Sequence, residues 1–336
     1  MPQAREFVAK NAKFWAFVMS NAFPAHGSFA TWQESGSCQN DSMNRRSFLW
    51  QSAAATASLF SAHQASAASV AQERYGKKIG LQLYTLRDPL QADLAGTMKA
   101  VAEAGYGQVE LYGFPDCDAM ITAAKDVGLK IQSTHFNWDC VVSPSDASYS
   151  DFAKILDKAH KLELQHLVVP YLHDNQRKTI EDYQKAAKHL SAAAEMAAKA
   201  GIRLAYHNHN FEFAPLANGR TGYQVLMEES SDKVFFELDV FWVAAAGLDP
   251  VELMKKLRGR VTQLHLKDLK KGIELPTFTS QIPADAFQEL GDGIIAMKPI
   301  VEAAAALGVE HCHIEQDQSP DPLASVRQSL AYWKTI

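Results

Sequence analysis

The chain predicts an α/β protein of the (β/α)8 TIM-barrel class, and three features carry that reading. Short apolar runs alternate with longer stretches rich in Ala, Lys and Glu. The apolar runs recur often enough to supply the eight strands of a barrel. Several of the longer stretches close on a glycine just before the next apolar run. Alternation of this kind builds a parallel sheet, with helices connecting successive strands.

In order, the strand candidates are 79–84, 108–112, 130–135, 166–170, 203–207, 234–239, 261–266 and 311–315. Helical patterns occupy 94–104, 119–127, 149–162, 180–200 and 297–307. Gly105, Gly128, Gly201 and Gly308 stand where a helix must stop before a strand. Glycine takes the left-handed conformation there without a Cβ clash. A doubly wound open sheet is the alternative, but no strand is followed by a Gly-x-Gly-x-x-Gly phosphate loop. The stretch 270–288 carries Pro276 and Pro283 and reads as a long loop of the kind that forms lids.

The start of the chain reads differently. Asn44-Arg45-Arg46-Ser47-Phe48-Leu49-Trp50 opens an Ala/Ser-rich run that ends in Ala65-Ser66-Ala67. A charged start, an apolar middle and a small-x-small exit make a secretory signal. The arginine pair makes it resemble a twin-arginine signal. The expected organisation is a misassigned leader at 1–42, with translation starting at Met43, then a signal at 43–67 and a barrel at 68–336. Such a signal implies export of a folded protein to the periplasm by the Tat translocase.

The bulk numbers fit a globular enzyme. Hydrophobic residues make up 47% and charged residues 21%, and the net charge of -5 offers no basic footprint for nucleic acid. No run of about 20 apolar residues occurs in 68–336, so no membrane span is expected there. Cys117, Cys140 and Cys312 form no Cys-x-x-Cys pair, so neither a thiolate zinc site nor a disulfide scaffold is indicated.

In such a barrel the chemistry sits at the carboxyl ends of the strands. Here those ends carry Glu110, His135, His207, His209, Glu237, Asp239, His265, Lys267, His313 and Glu315. Strand residues two apart share a face. The pairs Glu237/Asp239, His265/Lys267 and His313/Glu315 therefore point into the mouth together. Burying so many ionisable groups is costly unless they are paired or hold a cation. His207, Asp239, His265 and Glu315 come from four successive strand ends and form the expected metal set, with His209 competing for the place of His207. Two imidazoles and two carboxylates suit Mn, Zn, Co or Fe better than Ca or Mg.

At these residues the chain resembles the xylose isomerase-like sugar phosphate isomerase/epimerase superfamily. The resemblance is carried by 79–88, 105–110, the run His207-Asn208-His209-Asn210-Phe211-Glu212-Phe213, Glu237-Leu238-Asp239, 264–268 and 314–317. Tat-exported members form a subgroup with a similar first strand and His-Asn-His run. The resemblance implies a metal site of Glu, Asp, His and Glu from strands five to eight. Asp239, His265 and Glu315 match the last three, while His207 stands where many epimerases have Glu. That departure removes one of the two bases of ordinary epimerisation.

The expected activity is a metal-dependent isomerisation or epimerisation of a sugar or keto-sugar by enediolate-type proton transfer. Glu315 is the expected base, with Glu110 and His135 as alternatives and Lys267 as an oxyanion or hydroxyl donor. A lyase or dehydratase acting on a keto-sugar or 3-keto-glycoside is the rival. A non-catalytic periplasmic sugar-binding protein is a third reading.

Overall fold

The strands are β1 (Gly80–Gln82), β2 (Gln108–Phe114), β3 (Lys130–Phe136), β4 (His166–Val169), β5 (Arg203–His207), β6 (Val234–Asp239), β7 (Val261–Leu266), β8 (Asp268–Leu269), β9 (Phe287–Gln288) and β10 (His311–Ile314). All but β8 and β9 pair in parallel and close in the order β1-β10-β7-β6-β5-β4-β3-β2. This computed structural model describes residues 71–336 apart from 218, 258, 274, 276, 277, 280 and 281. The expected leader at 1–42 and the expected signal at 43–67 lie outside the described residues.

Each predicted strand is present; 203–207, 234–239 and 261–266 keep their predicted ends and the others shift. β1 stops at Gln82, and Leu83–Leu86 turn into a short 3-10 helix. The Gln82 side chain drives this by accepting a hydrogen bond from the Tyr84 amide at 3.1 Å. The turn lifts Tyr84 out of the expected strand and leaves it 43% exposed at the rim. β2 and β3 run on to Phe114 and Phe136, beyond their predicted ends.

The predicted helices appear as Leu94–Ala104, Asp118–Asp126, Ser150–Lys161, Ile180–Lys199 and Met297–Leu307. Gly105 and Gly308 close two of them in the left-handed conformation, at φ 109° and 85°. Apolar helix faces pack on the outside of the barrel, where Leu81, Val109, Leu167, Leu204, Leu238, Leu264 and Ile314 are fully buried or nearly so.

The long loop 270–288 is anchored at both ends. β8 and β9 pair antiparallel across it. Asp268 ties down the return path, its carboxylate accepting from the amides of Gly291, Gly293 and Ile295 at 3.0 to 3.1 Å. A Cβ on Gly293 would lie 2.2 Å from Asp268 Oδ1, so this approach requires glycine. Cys117, Cys140 and Cys312 are free thiols.

Candidate functional site

The inside of the barrel is polar. Gln82, Glu110, Ser133, His166, Glu237, Gln263, His265 and His313 are each fully buried there. At the carboxyl end, donor atoms of His207, Asp239, His265 and Glu315 lie within 4.8 Å of one another.

Local structure aims each donor. The Nδ1 of His207 points at the Pro170 carbonyl at 3.4 Å, which leaves Nε2 facing inward, 3.4 Å from Asp239 Oδ2. Asp239 ends β6 and caps the helix Val240–Ala245. Its Oδ1 accepts from the amides of Phe241 and Trp242 at 2.9 and 3.1 Å, and Oδ2 is turned to the centre. Asn208 clasps the same residue, accepting from the Asp239 amide at 3.1 Å and donating to its carbonyl at 3.3 Å. His265 meets Glu315 Oε2 at 2.8 Å through Nδ1 and Glu110 Oε2 at 2.6 Å through Nε2. An imidazole whose far nitrogen is held by a carboxylate is the usual arrangement behind a metal-binding histidine.

The electrostatics are one-sided. The carboxylates of Asp239, Glu315 and Asp317 crowd around the ammonium of Lys267, and those of Glu110 and Glu237 face His135 and His265. Lys267 Nζ lies 2.8 Å from Glu315, 2.8 Å from Asp317 and 3.1 Å from Asp239. Burial opposes the charge on Lys267, yet these three carboxylates outweigh it and push its pKa well up. Burial also works against an ionised Glu315, but Lys267 and His265 hold its carboxyl well below the usual range. Asp317 is pushed up to about 6, by burial first and by the Glu315 charge second. For His135 and His265, burial favours the neutral form, but Glu110 and Glu237, with Glu315 at His265, raise both. His209 goes the other way: burial, then His207, drives its pKa well down.

His207 Nε2 is buried and makes no hydrogen bond, while Asp239 Oδ2 faces it at 3.4 Å and is met by the Lys267 ammonium at 3.1 Å. A buried lone pair without a donor is costly. The pair, the negative excess and the mixed nitrogen/oxygen donor set all fit a divalent transition metal. His135, Glu110, Glu237 and His265 form a second close group. In that group His135 Nε2 bonds Glu237 Oε2 at 2.9 Å and Glu110 bonds His265, which leaves Glu237 Oε1 without a hydrogen bond.

Above the centre lies a cavity of about 530 Å³. His135, His207, His209, Lys267, Glu315 and Asp317 form its polar lining, and Tyr84, Tyr112, Phe136, Trp138, Tyr171 and Trp242 its aromatic lining. Of the predicted residues, Asp239 and His265 are not on the cavity wall, and neither is Glu110, which lies beneath it. Glu110 is fully buried and also bonds Gln82 at 2.8 Å and Ser133 at 2.5 Å. His209 lines the cavity but is not in the close group with Asp239. Lys267 pairs with the carboxylates of Asp239, Glu315 and Asp317 and not with the adjacent Asp268, which holds the loop. Asp317, Tyr112 and Tyr171 join the site without having been expected there. Asp317 was reachable, since it lies two residues past Glu315 and so shares its face.

Fold and site together define a (β/α)8 barrel with a histidine–carboxylate centre at its carboxyl mouth. Residues 98–336 match the family model described as the xylose isomerase-like TIM barrel, and the chain belongs to that family. It is 27% identical over 268 residues to an inosose dehydratase of Mesomycoplasma hyopneumoniae, covering 70% of this chain and 86% of that protein. An inosose dehydratase of Clostridium botulinum is 24% identical over 269 residues, covering 68% and 85%. A crystal structure of a sugar phosphate isomerase/epimerase from Parabacteroides distasonis superposes with a TM-score of 0.62 at 26% identity, covering 77% of this chain and 98% of that one.

Proposed function

We propose that this chain is a metal-dependent carbohydrate enzyme that removes the proton beside the carbonyl of a keto-sugar or keto-polyol and expels an oxygen substituent, as a dehydratase or lyase does. The observation that carries the reading is the quartet His207, Asp239, His265 and Glu315, with the buried His207 Nε2 left without a hydrogen bond. A divalent cation held by these four side chains supplies Lewis-acid polarisation of a substrate oxygen. Mn, Zn, Co and Fe all suit the donors.

The remaining roles belong to side chains on the cavity wall. Glu315 takes the carbon-bound proton, and Asp317, tied like it to Lys267, lies beside it. Lys267 donates to oxygen where negative charge develops. His135, whose pKa burial lowers but Glu110 and Glu237 raise on balance, approaches from the β3 side and gives a proton to the departing oxygen. His207 stands where a second carboxylate base would serve re-protonation of a sugar carbon, which favours elimination. The inosose dehydratases among the relatives support the same outcome.

Isomerisation or epimerisation is the second reading, favoured by the Parabacteroides structure. The two reactions share the first proton transfer and part at the second step. Incubation with keto-inositols, keto-sugars and 3-keto-glycosides in D2O separates them. Release of water or an aglycone supports elimination. Carbon-bound deuterium on an otherwise intact skeleton supports epimerisation. Ligand-induced melting shifts with neither would sink both and leave a sugar-binding protein. The twin-arginine-like segment adds the periplasm as the place of action, and a peptide from 1–42 in the intact precursor would refute a start at Met43.

A further inference from the structure

Below the metal quartet, the barrel axis holds polar side-chain atoms that have no protein partner. Both nitrogens of His166, both nitrogens of His313, both amide atoms of Gln263, the Nδ1 of His311 and the Oε1 of Glu237 are buried without a hydrogen bond. His166, His313, Gln263 and Glu237 are fully buried. Barrel interiors are ordinarily filled by branched apolar side chains. Orphaned buried polar atoms are costly and call for an explanation.

These groups form a continuous column. Glu237 Oε1 lies 4.0 Å from His313 Nδ1, and Glu110 Oε2 lies 3.9 Å from the same nitrogen. Those gaps are too long for direct hydrogen bonds and short enough for one water to touch both sides. The His313 ring lies 6.2 Å from that of His311, which lies 5.5 Å from that of His166. Gln263 is register partner of both Glu237 and His311, and so sits between the ends of the column. His311 reaches the N-terminal face, where its Nε2 meets Gln165 at 3.1 Å. Space has been kept for the column: a Cβ on Gly80 would lie 2.2 Å from His313 Cδ2. Burial holds His166 in its neutral form, with one donor and one acceptor to satisfy.

We infer that the barrel axis binds a file of ordered waters, held by Glu237, His313, Gln263, His311 and His166, that joins the floor of the candidate centre to the N-terminal face. Each of these side chains offers one or two hydrogen bonds, and a buried water makes about three. A cation is the competing occupant. It is disfavoured because the imidazole nitrogens here do not converge as those of the quartet do. The file gives water a route to the floor of the site that does not pass the cavity mouth.

The test is magnetic relaxation dispersion of 17O and 2H on the full-length protein, which counts waters held inside for longer than tumbling. Wild type is expected to show several such waters, and the H166L/Q263L variant to lose most of them. An unchanged count, or no long-lived water in wild type, would overturn the proposal. If the variant fails to fold, water density between Glu237 Oε1 and His313 Nδ1 in a high-resolution crystal structure decides alone, and a dry gap overturns it. A metal equivalent beyond that of the quartet, lost in H166L, would also overturn it.

Discussion

The two walls of the cavity solve different problems. The β5–β10 side carries His207, Asp239, His265, Lys267, Glu315 and Asp317, nearly all buried and tied to one another at 2.8 to 3.4 Å. The β1–β4 side carries Tyr84, Tyr112, Phe136, Trp138 and Tyr171, held by ring contacts such as the edge-on pair Tyr84–Tyr112 at 5.6 Å. Charges that must stay charged in a dry interior need fixed partners, and fixed partners make a rigid wall. Aromatic faces need none, so they can stand at the solvent edge and meet a ligand by stacking. The difference assigns ion binding and proton abstraction to the first wall and grip to the second, which lends one chemical group, His135 on β3.

Four substitutions break or sharpen this division. The largest effect is expected from Asp239→Asn, which keeps the shape and removes a charge from the quartet. Metal content by elemental analysis should fall to near zero, and turnover by about 10³-fold, the scale of losing a main electrostatic stabiliser. Full metal loading in that variant would refute the quartet. His135→Gln should leave metal content intact and lower kcat by about 10²-fold, the lower end for a lost general acid or base. Glu110→Gln acts through His265, so metal should bind roughly 10- to 100-fold more weakly, read by competition with a chelator. Trp138→Ala belongs to the other wall and should be mildest. KM should rise with kcat unchanged, by about 1 kcal/mol of lost stacking. A fall in kcat there would erase the division between the walls.

Much of this was legible in the chain. The strand and helix rhythm placed the barrel, because apolar periodicity reports local structure directly. Alternation within β6, β7 and β10 put the right side chains on the inward face. What local pattern cannot give is which inward residues meet across the barrel. Glu110 finds His265 155 residues away only once β2 and β7 are set by closure and register. The turn after Gln82 was hidden for a similar reason, since it depends on one side chain reaching a backbone amide. The polar column beneath the quartet was spelled out in His166, Gln263, His311 and His313. Read singly, His166, Gln263 and His311 are ordinary strand residues, and His313, expected at the mouth beside Glu315, lies off the cavity wall and fully buried.

The carboxylate of Asp239 is shared between two tasks. One oxygen pins the first turn of the helix Val240–Ala245, and the other faces the quartet. That helix carries Trp242 onto the cavity wall. Any ion drawing on the second oxygen therefore fixes the first, and with it the ring that a ligand would touch. By thermodynamic reciprocity the dependence runs both ways. A ligand resting on Trp242 would slow escape of the ion as surely as the ion would firm the ligand's seat, so occupancy of either becomes a signal read by the other.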